Sequence, residues 1–303
     1  MDIIRKAEID SNRIKEHIGF LSAGVRQSRA NLKHLDSSME FIIGKFKAEG
    51  LDVSTQPVSK GKIKGNNIIG KIRGTASTDS ILVVCAHYDT VWMSPGADDN
   101  ASGVAALIEL AGILSKIPIK KTVWLVATDM EEDGMVGSRF LAVENKDKIA
   151  AAINLDMIGY ATETPGSQQF PRQLKENYAA IHDRLQAEGM KANFILNFSN
   201  ANSAALRNAF DSLSRQYVPG MKTVTLEVTD DGKQFPWLFR ASDHVSFWDQ
   251  GIPAISVGDT AGLRNGGYHS RKDHMTALNY EFLTGVIRAT LATVLAHSGD
   301  LTN

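Results

Sequence analysis

The chain has 303 residues, of which 33 are basic and 34 acidic, a net charge of −1, and 43% of its residues are hydrophobic. That length buries a large core without disulfide or metal staples, and the charge balance gives no electrostatic reason for a nucleic-acid or membrane-surface partner. The single cysteine, Cys85, excludes an internal disulfide and a Cys-rich zinc module.

Helical periodicity runs over 11–22 and over 29–49, the second through Leu32, Met39, Phe41, Ile42, Ile43 and Phe46, with Gly50 as a stop. Strand-like runs follow at 52–58, 67–72 and 81–86; Cys85 lies in the last and reads as inert core. Strand and helix then alternate: helix 101–114, strand 121–127, helix 136–144, strand 151–155. Such alternation predicts an α/β fold with a largely parallel or mixed sheet between helical layers. The polar stretch 161–173 interrupts it, and helices are expected near 175–188 and 201–216 within the same domain. Strands return at 223–228 and 253–257, and a closing helix carries Leu278, Phe282, Val286, Leu291 and Leu295. One domain over 1–303 is expected, with 160–240 its least regular segment. No stretch approaches the roughly 20 apolar residues of a membrane span, and residues 1–19 lack an apolar signal core. A cytoplasmic location is expected unless a leader has been removed.

Five polar clusters stand at or beyond predicted strand ends, where ligands sit in open α/β sheets. Ala127-Thr128-Asp129-Met130-Glu131-Glu132-Asp133-Gly134 carries two adjacent carboxylates after the run 121–127. His87-Tyr88-Asp89-Thr90 follows the run 81–86, and Asp89 is placed to fix the tautomer of a metal-bound His87. Gly96-Ala97-Asp98-Asp99-Asn100-Ala101-Ser102-Gly103 precedes a helix, but capping accounts for only one of its polar residues. Asp156 ends an apolar strand whose following residues stay apolar, a costly place for a carboxylate without a partner or cation. Gly267-Tyr268-His269-Ser270-Arg271-Lys272-Asp273-His274 lies before the last helix. Each alone has a structural reading as a turn, a cap or a polar loop. Together His87, Asp99, Glu132, Asp156 and His269 form a two-histidine, three-carboxylate set without thiolate, suited to zinc and to related divalent ions. Two metals sharing a carboxylate can act on one water, which leaves Glu131 free to move its proton.

In order and identity these segments, from about His87 to Asp273, resemble the co-catalytic dizinc aminopeptidases, whose wider relatives include glutamate carboxypeptidase II, the transferrin receptor and glutaminyl cyclase. The resemblance implies a three-layer α/β/α domain with a mixed sheet of about eight strands. It implies two zinc ions, with cobalt or manganese also suited to such ligands: His87 and Asp156 on one, Glu132 and His269 on the other, Asp99 bridging. Glu131 is then the general base, and Tyr268 a hydrogen-bond donor to the oxyanion. Asp89, Asp273 and Asp243 become supports behind the ligands, and the segment Ser242-Asp243-His244 lies beside the site. The implied activity is an aminopeptidase acting on peptides or aminoacyl substrates, with 160–240 shaping the pocket. A single-zinc glutaminyl-peptide cyclase, a carboxypeptidase of the same fold and a non-catalytic binding relative are the alternatives; all five ligand positions being filled speaks against the last.

Overall fold

Residues 81–87, Ile-Leu-Val-Val-Cys-Ala-His, are buried throughout and run through the centre of the sheet in a computed structural model that describes residues 2–27, 31–76 and 80–299. The strands are β1 (Asp52–Lys60), β2 (Ile63–Ile72), β3 (Ile81–His87), β4 (Thr122–Thr128), β5 (Ile149–Leu155), β6 (Phe194–Ser199), β7 (Lys222–Glu227) and β8 (Ala254–Gly258). They form one eight-stranded sheet in the order β1-β2-β4-β3-β5-β8-β6-β7. Strands β4, β3, β5 and β8 are parallel to one another, while β2 joins β4 and β6 joins β8 antiparallel. This is the mixed α/β sheet that the alternation predicts.

The helices are α1 (Asp2–Lys6), α2 (Ser11–Leu21), α3 (Leu32–Ala48), α4 (Gly103–Leu114), α5 (Val136–Glu144), α6 (Arg172–Asn177), α7 (Ala179–Ala187), α8 (Ala204–Tyr217), α9 (Pro236–Phe239), α10 (His244–Trp248) and α11 (Tyr280–His297). Side chains alternate along the inner strands, so Leu82, Val84 and Ala86 face a core built with α2, α3, α4, α8 and α11. Ile81, Val83 and Cys85 face the opposite core, with α5, α6, α7, α9 and α10. Parallel strands buried on both faces read as continuous apolar runs, which is why β3, β4 and β5 are legible in the sequence.

The chain leaves β3 through α4 to reach β4, then crosses back through α5 on the other face to β5, on the far side of β3. That reversal opens a crevice at the carboxyl end of β3, the usual ligand position in such sheets. Gly103, at the start of α4, lies against this end: a Cβ there would stand 2.5 Å from Asn100 Oδ1 and 2.8 Å from the Leu155 carbonyl oxygen. Gly103→Ala is therefore expected to destabilise the fold by about 1–3 kcal/mol through overpacking, outweighing alanine's better helix propensity, and a denaturant midpoint at unchanged slope measures it.

The structure revises several expected elements. Strand β6 is absent from the sequence reading, and the helix expected near 175–188 breaks at Tyr178 (φ −130°, ψ 42°) into α6 and α7. The helix expected from Ala101 begins at Gly103, after an irregular turn over Ala97–Ser102 that contains a cis Asp99–Asn100 peptide bond. Strands β1 and β2 are longer than expected and form a hairpin through Gly61-Lys62, with Gly61 at φ 63°. In the helix expected over 29–49, residues 29 and 30 lie outside the described residues; α3 covers the rest, with Leu32 exposed. Among the described residues no helix is long and apolar enough to cross a membrane.

Candidate metal centre

Three of the five predicted ligands stand at or just past strand ends, and two lie in turns or loops before helices. His87 is the last residue of β3, Asp156 follows β5, and Glu132 lies four residues past the end of β4. Asp99 sits in the irregular turn before α4, and His269 in the loop before α11. The fold brings them together. His87 Nε2 stands 3.3 Å from Asp99 Oδ1 and 3.5 Å from Asp156 Oδ1; His269 Nε2 stands 3.2 Å from Asp99 Oδ2 and 3.4 Å from Glu132 Oε2. Two triads result, His87–Asp99–Asp156 and Asp99–Glu132–His269, each offering ligand atoms within 4.8 Å of one another. Asp99 belongs to both.

The surrounding groups fix this arrangement by hydrogen bonds. Asp89 accepts from the backbone N–H of Glu131 and of Glu132, each at 3.1 Å, and its carbonyl oxygen is 3.2 Å from His87 Nδ1. One residue thus sets the tautomer of His87 and the turn bearing both glutamates. Asp273 accepts from the N–H of Asp98 at 2.9 Å and of Asp99 at 3.0 Å. Asn100 donates to the Leu155 carbonyl at 2.8 Å and accepts from Gly103 N–H at 3.0 Å, tying the turn to the end of β5. The backbone is strained here: Met130, Met157 and His269 have φ of 59°, 53° and 53°, left-handed conformations that cost about 1–3 kcal/mol each and gather at functional sites.

The segment 242–244 meets the cluster differently from the sequence reading, which weighed Asp243 and His244. Ser242 makes the direct contact, donating to Asp156 Oδ2 at 2.5 Å while accepting from Asn154 Nδ2 at 2.7 Å. Asp243 accepts from the Thr128 hydroxyl at 2.5 Å. His244 donates from Nε2 to the Phe239 carbonyl at 2.9 Å, packs edge-on against Phe198 and Trp248, and is held down to about 4 by burial. Two further groups have no role in the sequence reading, Ser242, named there only within its segment, and the buried Arg26, because a contact made to a carboxylate across the fold or to backbone carbonyls leaves no spacing pattern.

Electrostatically the site is dominated by carboxylates. Burial opposes ionisation of Asp99, but the adjacent imidazoles of His269 and His87 outweigh it and hold the carboxyl well below the usual range. Burial pushes Glu132 up to about 7, with Asp99 adding repulsion, and pushes Glu131 well above the carboxylate range, with Asp156 and Asp243 repelling its charge and His87 favouring it. For His269, burial is overcome by the carboxylates of Asp99 and Glu132 close to it, which raise its pKa to about 10. Protons on the histidines balance the carboxylates in this geometry; a divalent cation inverts that logic, since it favours neutral imidazoles and ionised carboxylates. The donor set fits such ions: buried Asp99 Oδ2 has no hydrogen-bond partner, and the donors are all imidazole nitrogen and carboxylate oxygen, the ligand chemistry of zinc and its neighbours.

A cavity of about 420 Å³ opens beside the cluster, lined by His87, Glu131, Asp156 and His269 on one side and by Leu196, Phe198, Trp237, Leu238 and Leu263 on another. Glu131 is half-buried, belongs to neither triad and faces this space. Tyr268 borders it too, stacked on His269 with ring centroids 3.8 Å apart. A larger cavity of about 620 Å³ lies between α1, α2, α3 and α4 around Arg13, Lys45 and Glu109, but it contains none of the clustered residues.

The profile of peptidase family M28 matches residues 67–294. The uncharacterized protein YfbL of Escherichia coli K12 is 32% identical over 284 residues, covering 86% of this chain and 80% of its own length. The aminopeptidase YwaD of Bacillus subtilis 168 is 29% identical over 226 residues, covering 71% of this chain, which spans only 41% of YwaD. Among solved structures, the LapA aminopeptidase of Legionella pneumophila superposes with a TM-score of 0.76 at 20% identity, over 99% of this chain and 75% of that one. The matched region contains all five clustered ligands, Glu131 and Tyr268, and the chain belongs to peptidase family M28.

Proposed function

We propose that this chain is a dizinc aminopeptidase, with His87 and Asp156 holding one ion, Glu132 and His269 the other, and Asp99 shared between them. The observation that carries the reading is the pair of triads meeting at Asp99, with Glu131 unengaged beside them and facing a cavity. Zinc, when bound, polarises a carbonyl and lowers the pKa of a water toward about 7. Glu131 takes the proton of the attacking water on its carboxylate and delivers it to the leaving amine. The turn around Asp89 holds it in place, through the Glu131 N–H. Tyr268 donates its hydroxyl to the oxygen on which negative charge develops, an interaction worth most where water is excluded. Asp89, Asp273 and Ser242 keep the ligands oriented, as groups behind metal ligands generally do.

The segment 160–240 supplies Leu196, Phe198, Trp237 and Leu238 to the cavity wall, and this lining favours an N-terminal residue with an apolar side chain. Its volume of about 420 Å³ lies within the range of small-ligand pockets. The test is a panel of peptides beginning with Leu, Phe, Lys, Glu or Gln, each with a free and an acetylated N-terminus, followed by mass spectrometry. Release of free Leu and Phe from the unblocked peptides, at rates at least tenfold above Lys and Glu, is expected, with the acetylated peptides untouched. Loss of ammonia from the Gln peptide with its chain intact would identify a cyclase instead, and shortening from the carboxyl end a carboxypeptidase.

A further inference from the structure

Arg26 lies on the segment between α2 and α3, outside the matched residues 67–294, and its side chain is 0% exposed. A guanidinium so deeply buried ordinarily has a carboxylate against it. Here the guanidinium's hydrogen bonds among the described residues go to backbone carbonyls: Nε to Tyr88 at 2.6 Å, Nη1 to Leu21 at 2.6 Å and to Pro95 at 2.7 Å, and Nη2 to Gly96 at 2.9 Å. The main chain adds two more ties, Arg26 N–H to the Thr90 hydroxyl and Thr90 N–H to the Arg26 carbonyl, both 2.9 Å.

These contacts have one thing in common. Tyr88 and Thr90 flank Asp89 in the turn that follows His87, and Pro95 and Gly96 open the turn that carries Asp99. A single planar fork therefore holds the two backbone segments from which His87 and Asp99 extend toward each other. The fit is close: Gly96 has φ 63°, and a Cβ on it would stand 2.8 Å from Arg26 Nη2 and 2.4 Å from Thr90 Cγ2. The charge of Arg26 is compensated at longer range by Asp273, Asp99, Asp89 and Glu132, so the acidic cluster is what allows the fork to be buried there.

We infer that Arg26 is a positioning residue of the metal centre: its guanidinium spaces the 88–90 and 95–96 turns so that His87 and Asp99 present their ligand atoms together. This rests on the metal-binding reading above. Lysine cannot substitute, because three donors on a point charge do not reproduce a rigid fork reaching three segments. Position and charge pull in opposite directions, and that makes the inference testable. Removing a nearby positive charge alone would tighten the binding of a cation; losing the spacing weakens it.

The experiment is zinc titration of metal-stripped wild type, Arg26→Lys and Arg26→Met by calorimetry, with circular dichroism to establish that each is folded. Leu291→Ala, which thins the core within α11 away from the fork, serves as a destabilised control. The expected result is a loss of zinc affinity of about 10- to 100-fold in both Arg26 variants, the range for groups behind metal ligands, with Leu291→Ala near wild type. Arg26→Lys matching wild type, Arg26→Met binding zinc more tightly, or Leu291→Ala losing affinity as the Arg26 variants do would each overturn it. Should both Arg26 variants fail to fold, Thr90→Val releases the Arg26 main chain from the 88–90 turn and so shifts the seat of the fork; a weaker zinc affinity supports the inference and an unchanged one overturns it. A wild-type chain that takes up no zinc would remove the metal reading itself, a result distinct from variants that match a zinc-binding wild type.

Discussion

Glu131→Gln is expected to keep its zinc and lose about 10²- to 10⁴-fold in kcat, the usual contribution of a positioned proton-transfer group. The substitution is nearly isosteric, and Glu131 is in neither ligand triad, so nothing that orients His87, Asp99 or Asp156 is removed. The backbone N–H that Glu131 donates to Asp89 at 3.1 Å is retained as well. What is lost is a carboxylate in the cavity wall able to accept a proton. Because substrate contacts are unchanged, the fall is expected in kcat with little change in KM, the pattern of an interaction that matters only in the transition state. Zinc content by elemental analysis and steady-state rates on one Leu-initiated peptide measure both halves. Undiminished turnover would reject the role, and loss of zinc would move Glu131 among the ligands.

Asp99→Ala is expected to act in the opposite way, emptying the site. Among the described residues its carboxylate is the only one paired with both histidines, Oδ1 at 3.3 Å from His87 and Oδ2 at 3.2 Å from His269. Without them the two triads lose their common member, and His87 and His269 are left with one carboxylate each from the set. Zinc affinity should fall by more than about 100-fold, beyond the loss seen when a group behind a ligand is removed, and the stoichiometry should drop below two. The side chain is 3% exposed, yet the fold should survive, because deleting it also relieves a cluster of buried carboxylates. Calorimetric zinc titration and a thermal melt of the metal-stripped protein separate the two effects. A variant that still binds two equivalents would show that Asp99 bridges nothing.

How much of this is readable from sequence depends on where the polar groups lie. Strands β3, β4 and β5 carry side chains into both cores and stand out as apolar runs, so a histidine or aspartate at their ends is conspicuous. Strand β6 does not stand out because it is interrupted by Asn197 and ends in Ser199, both buried; the Asn197 side-chain N–H donates to the Arg207 carbonyl of α8 at 2.8 Å. That pairing is invisible before the helix is in place, and with β6 went the origin of Leu196 and Phe198 in the cavity wall. Strands β1 and β2 run past their apolar residues because a hairpin at a sheet edge can be polar and lysine-bearing, as it is at Lys60 and Lys64.

The same distinction holds within the site. His87, Asp99, Glu132, Asp156 and His269 are far apart in sequence but each marks a strand end or a Gly-rich turn, and their convergence is what the order of motifs leads one to expect. Asp89 and Asp273 lie two and four residues from a ligand and carry the same local signal. Arg26 and Ser242 do not: one acts through carbonyls of segments more than 60 residues away, and the other reaches Asp156 across 86 residues. Only the folded chain shows which of many arginines and serines are in these positions.

The most direct measurement is to strip the wild-type protein with a chelator and return zinc in steps, following binding and hydrolysis of a Leu-initiated peptide in the same samples. The account predicts that stripping abolishes hydrolysis, that two equivalents of zinc are taken up per chain, and that release of free leucine returns with them. Full hydrolysis by the metal-free protein, or saturation of the chain at less than one equivalent of zinc, would contradict it.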